Sequence, residues 1–307
     1  MSFSTTTKNE ITKQNLSKSE KIALLSGFIR NNGSLNDNLL ILTTENDNIK
    51  EMLYSYIYDL YGVKVSIRKT DNLNLFKNKL NLIELSDKRD FILQDIGYLS
   101  NDLKYLNTPK DYIVGANEEI RAYLKGVFLC CGSINDPVSS YHMELSISKK
   151  EEAVFVQRLL NIFDLNAKIL SRDKGYMIYI KEAEKISDYL RILGTNNAVM
   201  HYENVRIYHE EKNKTNRLNN CEQANTDKIV ETANKQLKQI DIIEENKGLD
   251  LLDDKTKEAI IYRKKYPESS LKELSEIISL ETGKTITKSG LNHRFRKIKD
   301  LADKFQK

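Results

Sequence analysis

The apolar positions of this chain follow two rhythms. Through residues 21–200, short alternating runs trade places with stretches of helical spacing; beyond residue 201 only the helical spacing persists. In the first stretch, Leu39–Thr43 alternates as a strand and Asn48–Leu60 as an amphipathic helix. Val63–Arg68 and Leu80–Leu85 follow as strands and Lys88–Leu99 as a helix. The same order then recurs: strand Tyr141–Ile147, helix Glu151–Phe163, strands Ala167–Leu170 and Tyr176–Ile180, helix Ala183–Leu193. A small-residue helical run precedes each series. One is Leu25-Ser26-Gly27-Phe28-Ile29-Arg30-Asn31-Asn32-Gly33-Ser34-Leu35, the other Leu124-Lys125-Gly126-Val127-Phe128-Leu129-Cys130-Cys131-Gly132-Ser133-Ile134. The stretches at Ser34 and Ser133 are expected to open each sheet as the outer arm of a hairpin.

A mid-helix glycine costs about 1 kcal/mol relative to alanine. Gly27 and Gly126, at the same place in both copies, therefore call for a packing reason: close approach of two helix backbones along a pseudo-two-fold axis. Gly33 and Gly132 are expected to end those helices in the left-handed conformation. This α+β pattern resembles the LAGLIDADG homing-endonuclease fold, whose two motif helices form the interface between two αββαββα halves. The halves are expected at residues 21–114 and 115–200, after a polar segment 1–20.

In nucleases of that fold, each motif helix carries a carboxylate just before its final glycine. The pair holds divalent metal, since a hard cation wants oxygen ligands and a scissile phosphate needs its charge neutralised. Here those positions are Asn32 and Cys131, and neither motif run contains an acid. Asp37 and Asp136 come only after the turn and are expected to face away from the helix interface. An amide and a thiol cannot replace two oxyanions around Mg²⁺. Asn32 and Cys131 thus read as degenerate metal positions, and no catalytic residue, metal or cofactor is expected. His142, His201, His209 and His293 are scattered, and no glycine loop suited to phosphates is present. Cys130 and Cys131 are expected as small core residues at the helix interface.

Residues 201–245 read as a linker and long helix. The polar run Asn213–Asn225 is expected as a surface loop and helix cap, followed by Ile229, Ala233, Leu237, Ile240 and Ile243 at helical spacing. Gly248 interrupts it. Residues 246–307 then hold three short helices. Leu251–Tyr266 is stopped by Pro267. A helix capped by Ser269 or Ser270 follows, with Leu271, Leu274, Ile277 and Ile278 on one face. The last, Lys288–Ala302, is capped by Thr285 or Thr287, with Leu291, Phe295, Ile298 and Ala302 in a stripe. A basic third helix in such a trio is the helix-turn-helix layout. Its outward face is expected to carry Ser289, His293, Arg296 and Lys297, flanked by Lys288 and Asn292 on one side and Arg294 on the other. Arginine and asparagine suit base edges; Lys288, Arg294, Lys297 and Lys299 suit phosphates.

Charge sharpens this reading. The formal net charge is only +4. Residues 284–307, however, hold Lys284, Lys288, Arg294, Arg296, Lys297, Lys299, Lys304 and Lys307 against Asp300 and Asp303, while residues 21–200 balance to neutrality. A local positive field is what a polyanion-binding element needs. The neutral repeat region supports a rival expectation, a protein-interaction scaffold with weak nonspecific DNA binding. Three cysteines, Cys130, Cys131 and Cys221, give neither a disulfide framework nor a zinc spacing. With no apolar run long enough to span a membrane and no secretory leader, a cytoplasmic, nucleoid-associated location is expected.

Several segments together carry a family resemblance. They are Met1-Ser2-Phe3-Ser4, Ile29–Leu35, Gly132–Pro137, Tyr141–Glu144, Asn216–Glu222 with Ala224-Asn225, Ser270–Leu274 and Lys288–Lys297. As a set they resemble the WhiA family. The resemblance implies a degenerate homing-endonuclease domain tethered to a helix-turn-helix similar to sigma-factor region 4. It also implies transcription regulation in cell division and chromosome segregation, with sporulation where the species sporulates. Duplex DNA is then the expected partner, together with transcription or division proteins. One departure is the connection Leu280–Ile286, longer than the family pattern and a tight helix-turn-helix suggest.

Overall fold

The structure, a computed structural model, describes residues 1–36, 38–70 and 80–306; Asp37 lies outside them. The chain divides into two compact units, Met1–His209 and Glu210–Lys307.

The first unit is built on the repeat. Helix α2 (Lys18–Asn32) leads into β1 (Ser34–Asn36), β2 (Leu39–Thr44), α3 (Asp47–Tyr61), β3 (Ser66–Thr70), β4 (Leu80–Leu85) and α4 (Arg89–Asp95). The second copy runs α5 (Asn117–Cys131), β5 (Gly132–Ile134), β6 (Met143–Ile147), α6 (Lys150–Ile162), β7 (Lys168–Arg172), β8 (Gly175–Ile180) and α7 (Ala183–Ile192). Each half forms an antiparallel four-stranded sheet in the same order, β1-β2-β4-β3 and β5-β6-β8-β7. Ser34 pairs with Ile41 in one and Ser133 with Glu144 in the other, the hairpin arms expected from the sequence.

The two motif helices pack backbone to backbone at the glycines. A Cβ on Gly27 would lie 2.3 Å from the carbonyl oxygen of Tyr123, and one on Gly126 would lie 2.1 Å from that of Leu24. Their flanks, Leu24, Leu25, Phe28, Ala122, Tyr123 and Val127, are fully buried in a core continuous with both sheets. The helix ends correct one expectation. Gly33 and Gly132 have φ of −67° and −90°, extended rather than left-handed. Each chain end passes directly into a hairpin strand, so no reversal is needed. What demands glycine there is space: a side chain would meet the carbonyl oxygens of Ile29 and Phe128 at 2.7 and 2.8 Å.

The polar N-terminal segment contains a helix of its own, α1 (Phe3–Ile11), capped by Ser2 and anchored by buried Thr7 and Ile11. Glu10 accepts hydrogen bonds from the Asn197 and Ala198 amides at the start of α8 (Asn196–Glu245). That helix also replaces the loop expected over Asn213–Asn225, which is helical throughout. Residues 210–228 are exposed on every face and mostly polar. The Gln223 side chain donates to Asp227 one turn on, a pair that supports the helix, and the Thr215 and Thr226 hydroxyls are satisfied on the Glu211 and Glu222 carbonyls.

Candidate nucleic-acid interface

The second unit closes a small core around the end of α8. Ala233, Ile240 and Ile243, buried as their spacing predicts, lie on that helix. Beyond a 3₁₀ turn at Gly248–Leu251 come α9 (Asp254–Lys265), α10 (Leu271–Thr282) and α11 (Lys288–Phe305). Each start is fixed by a side-chain cap. Asp253 accepts from the Thr256 amide, Ser270 and Glu273 form a reciprocal box, and Thr287 accepts from the Gly290 amide. Gly283, at φ 69°, ends α10 in the left-handed region. Because α10 continues to Thr282, only residues 283–287 connect it to α11; the longer connection expected over Leu280–Ile286 is half helix.

Leu291, Phe295, Ile298 and Ala302 are all buried against Ala259, Ile260, Leu274 and Ile278. That stripe fixes the rotation of α11. Lys288, Ser289, His293, Arg296 and Lys299 are exposed and Asn292 half-buried. None of these six side chains has a hydrogen bond or ion pair to another described residue. The remaining two candidates are engaged. Arg294 donates to the Lys255 carbonyl at 2.8 Å and to Glu258 at 3.0 Å, both side chains largely covered. Lys297 pairs with Asp253 at 2.9 Å in a half-exposed contact, which holds the Asp253 carboxyl below its ordinary range with help from Thr256. A helical wheel gives the direction of a side chain but not its reach, so sequence alone did not show that Arg294 and Lys297 bend back to the α9 end of the module.

The motif-helix ends of the first unit hold no acidic pair. The Asn32 amide is spent on Thr43, accepting from its backbone N–H at 2.8 Å and donating to its hydroxyl at 3.3 Å. Cys130 and Cys131 are half-buried, both thiols donating to the Val127 carbonyl. Burial, then the neighbouring Cys131, pushes the Cys130 thiol well above its ordinary value. Asp136 sits in the following turn, accepting from the Val138 amide. Among the described residues no group of three metal-ligating side chains converges, and no helix is long and apolar enough to cross a membrane.

What sequence reasoning missed is an ion pair beside that interface. Arg30 donates to Glu152 at 2.9 Å, the two side chains being 0% and 2% exposed. Arg30 also donates to the carbonyls of Gly97, Leu106 and Asn107, and the Tyr123 hydroxyl bonds to Glu152. Burial alone would lower the Arg30 pKa; the Glu152 and Tyr123 oxygens reverse that and raise it. The repeat offered a signal. The positions related to them by the repeat are Leu129 and Ile49, both buried and apolar, so the charged residues on one side of the pseudo-two-fold have apolar counterparts on the other.

Comparison with known proteins now bears on this architecture. Residues 18–99 match the WhiA N-terminal LAGLIDADG-like domain, 120–212 the WhiA LAGLIDADG-like domain and 215–302 the WhiA C-terminal HTH domain. The chain is 39% identical over its full length to a protein of Exiguobacterium sibiricum named "Probable cell division protein WhiA", covering 97% of it. A Bacillus cereus protein of the same name is 40% identical, again over the full chain and 98% of the relative. The chain belongs to the WhiA family. The crystal structure of full-length DUF199/WhiA from Thermatoga maritima shares the fold, with a TM-score of 0.59 at 22% identity, covering 99% of both chains. The WhiA architecture of a LAGLIDADG-like repeat domain followed by a helical HTH domain is therefore that of this chain, as expected from its periodicity.

Proposed function

We propose that this chain is a sequence-specific DNA-binding transcription regulator acting in cell division and chromosome segregation, and in sporulation where its host sporulates, without nuclease activity. The observation that carries the reading is the outer face of α11. There the side chains of Ser289, Asn292, His293 and Arg296 have no hydrogen-bond or ion-pair partner among the described residues, beside Lys288 and Lys299. Arginine and asparagine can each make paired bonds to purine edges, while the lysines supply phosphate contacts that fix register. The family match to an HTH domain and the cell-division name of the relatives support the same reading. In this proposal residues 246–307 are the DNA-reading module and the repeat domain of residues 21–200 is a retired nuclease, its former metal positions held by Asn32 and Cys131. Its zero net charge over residues 21–200 suits contact with transcription or division proteins better than a DNA saddle.

A genome-wide map of bound DNA in cells tests this. Discrete enriched sites that vanish when residues 246–307 are deleted are expected. A flat profile, or sites that survive the deletion, sinks it. Plasmid incubated with purified protein and Mg²⁺ or Mn²⁺ should remain un-nicked; nicking that tracks the protein and disappears in Cys131→Ala would restore the enzyme.

A further inference from the structure

The second unit contains a cavity of about 250 Å³ where the start of α10 meets α8 and α11. Its charged lining is entirely basic: Lys228 from α8, Arg263 from α9, Lys272 from α10 and Lys288 from α11. Lys228 and Lys288 make no ion pair among the described residues, and Lys272 reaches only Glu276, at 3.9 Å. Arg263 is 1% exposed. Its Nη1 closes the α9–α10 turn by donating to the carbonyls of Ser269 at 2.6 Å and Tyr266 at 3.4 Å. Its Nε is buried with no partner, and no described carboxylate pairs with the guanidinium. Burial lowers its pKa with no anion to offset the cost, yet a guanidinium stays charged at neutral pH. A buried charge without a counter-charge is costly unless something supplies one.

The helix start adds to this field. The capping box uses the Ser270 and Glu273 amides. Those of Leu271 and Lys272, both lining the cavity, have no acceptor inside the helix because the first turn leaves its N–H groups unpaired. Two free amides, a buried guanidinium that lies over the Phe295 ring and keeps one N–H, Nε, without a partner, and three lysines line a space of small-anion size.

We propose that this cavity is a seat for a single phosphate group, filled in the DNA complex by a backbone phosphate. The assignment rests on the DNA-reading role proposed above. Lys288 joins the seat to the base-facing side of α11, so a phosphate held here would set the register in which Ser289, Asn292 and Arg296 meet base edges. Lys228 brings α8 into the footprint. A free phosphate ester offers the same chemistry as the other source.

The full-length protein and its Lys228→Ala/Lys272→Ala variant decide the matter. Both lysines are exposed, so the variant keeps its core, whereas Arg263→Met risks the fold. In the first arm, unfolding is followed in inorganic phosphate and in chloride at equal ionic strength. Phosphate stabilises any fold through exclusion from its surface, so it should raise the midpoint of the wild type by more than that of the variant. In the second, duplexes with one neutral methylphosphonate linkage walked along each strand are titrated. One linkage should weaken wild-type binding and leave the variant indifferent, and the variant's salt slope should fall by about 0.9. This excess stabilisation by inorganic phosphate without any linkage effect assigns the seat to a free phosphate ester. Neither effect overturns the seat while leaving DNA reading intact. A wild type that binds no duplex ends the DNA reading, and the first arm alone then judges the seat.

Discussion

Gly126 shows how a single residue can set an interface. Its missing side chain leaves room for the Leu24 carbonyl and the Phe28 amide of the facing helix, and neither can move without shifting the backbone. Gly126→Ala should therefore destabilise the first unit by roughly 1–3 kcal/mol or more, the range of core overpacking, whereas alanine in an ordinary exposed helix would stabilise. Chemical denaturation measures the sign. Arg30 is the complementary case, a charge tolerated because every direction is answered. Arg30→Met leaves Glu152 buried opposite a thioether and should cost about 3–5 kcal/mol; Arg30→Met/Glu152→Met should recover part of that loss. If the single variant unfolds at wild-type denaturant, the pair contributes nothing to the interface.

At the scale of elements, caps and periodicity account for most of what the sequence made legible. The alternation of β2, β4, β6 and β8 and the stripe of α11 were readable because burial on one face leaves a fixed period. The later part of α8 was readable from the spacing of Ile229 to Ile243, but its Asn213–Asn225 stretch was not, because that stretch has no buried face and its asparagines read as turn residues. The handedness at Gly33 and Gly132 also escaped, since a glycine required for space and one required for a left-handed turn look alike in sequence. The outward positions of α11 followed from its stripe, but the phosphate seat rests on Arg263, which reads in the sequence as one more basic residue near a helix end. Asp253 makes a pH-dependent cap. The hydrogen bond from Lys297, then those from Thr256, hold its carboxyl below the ordinary value of 3.8. A depressed carboxyl contributes stability that is present above its unfolded pKa and lost as pH falls through the folded one. The second unit should thus lose stability as pH drops from about 4 toward 2, and Asp253→Asn should flatten part of that slope. Unfolding midpoints of both proteins over this range supply the check; parallel slopes would remove the cap from the account.

For the whole molecule, the proposed function assigns separate roles to the repeat and the helix-turn-helix. The first unit packs its two motif helices at the glycines, and at their ends Asn32 bonds to Thr43 and the Cys131 thiol to Val127. The second presents the unpartnered polar face. If DNA reading resides there, base and phosphate contacts must separate experimentally. The deciding measurement is a salt titration of binding to the preferred duplex and to random duplex by wild type, Arg296→Ala and Lys299→Ala. Arg296→Ala should lose about 1–3 kcal/mol on the preferred duplex and much less on random DNA. Lys299→Ala should weaken both alike and lower the salt slope by about one. Equal losses on both duplexes for Arg296→Ala would contradict sequence reading by α11 and reduce the second unit to a nonspecific anchor.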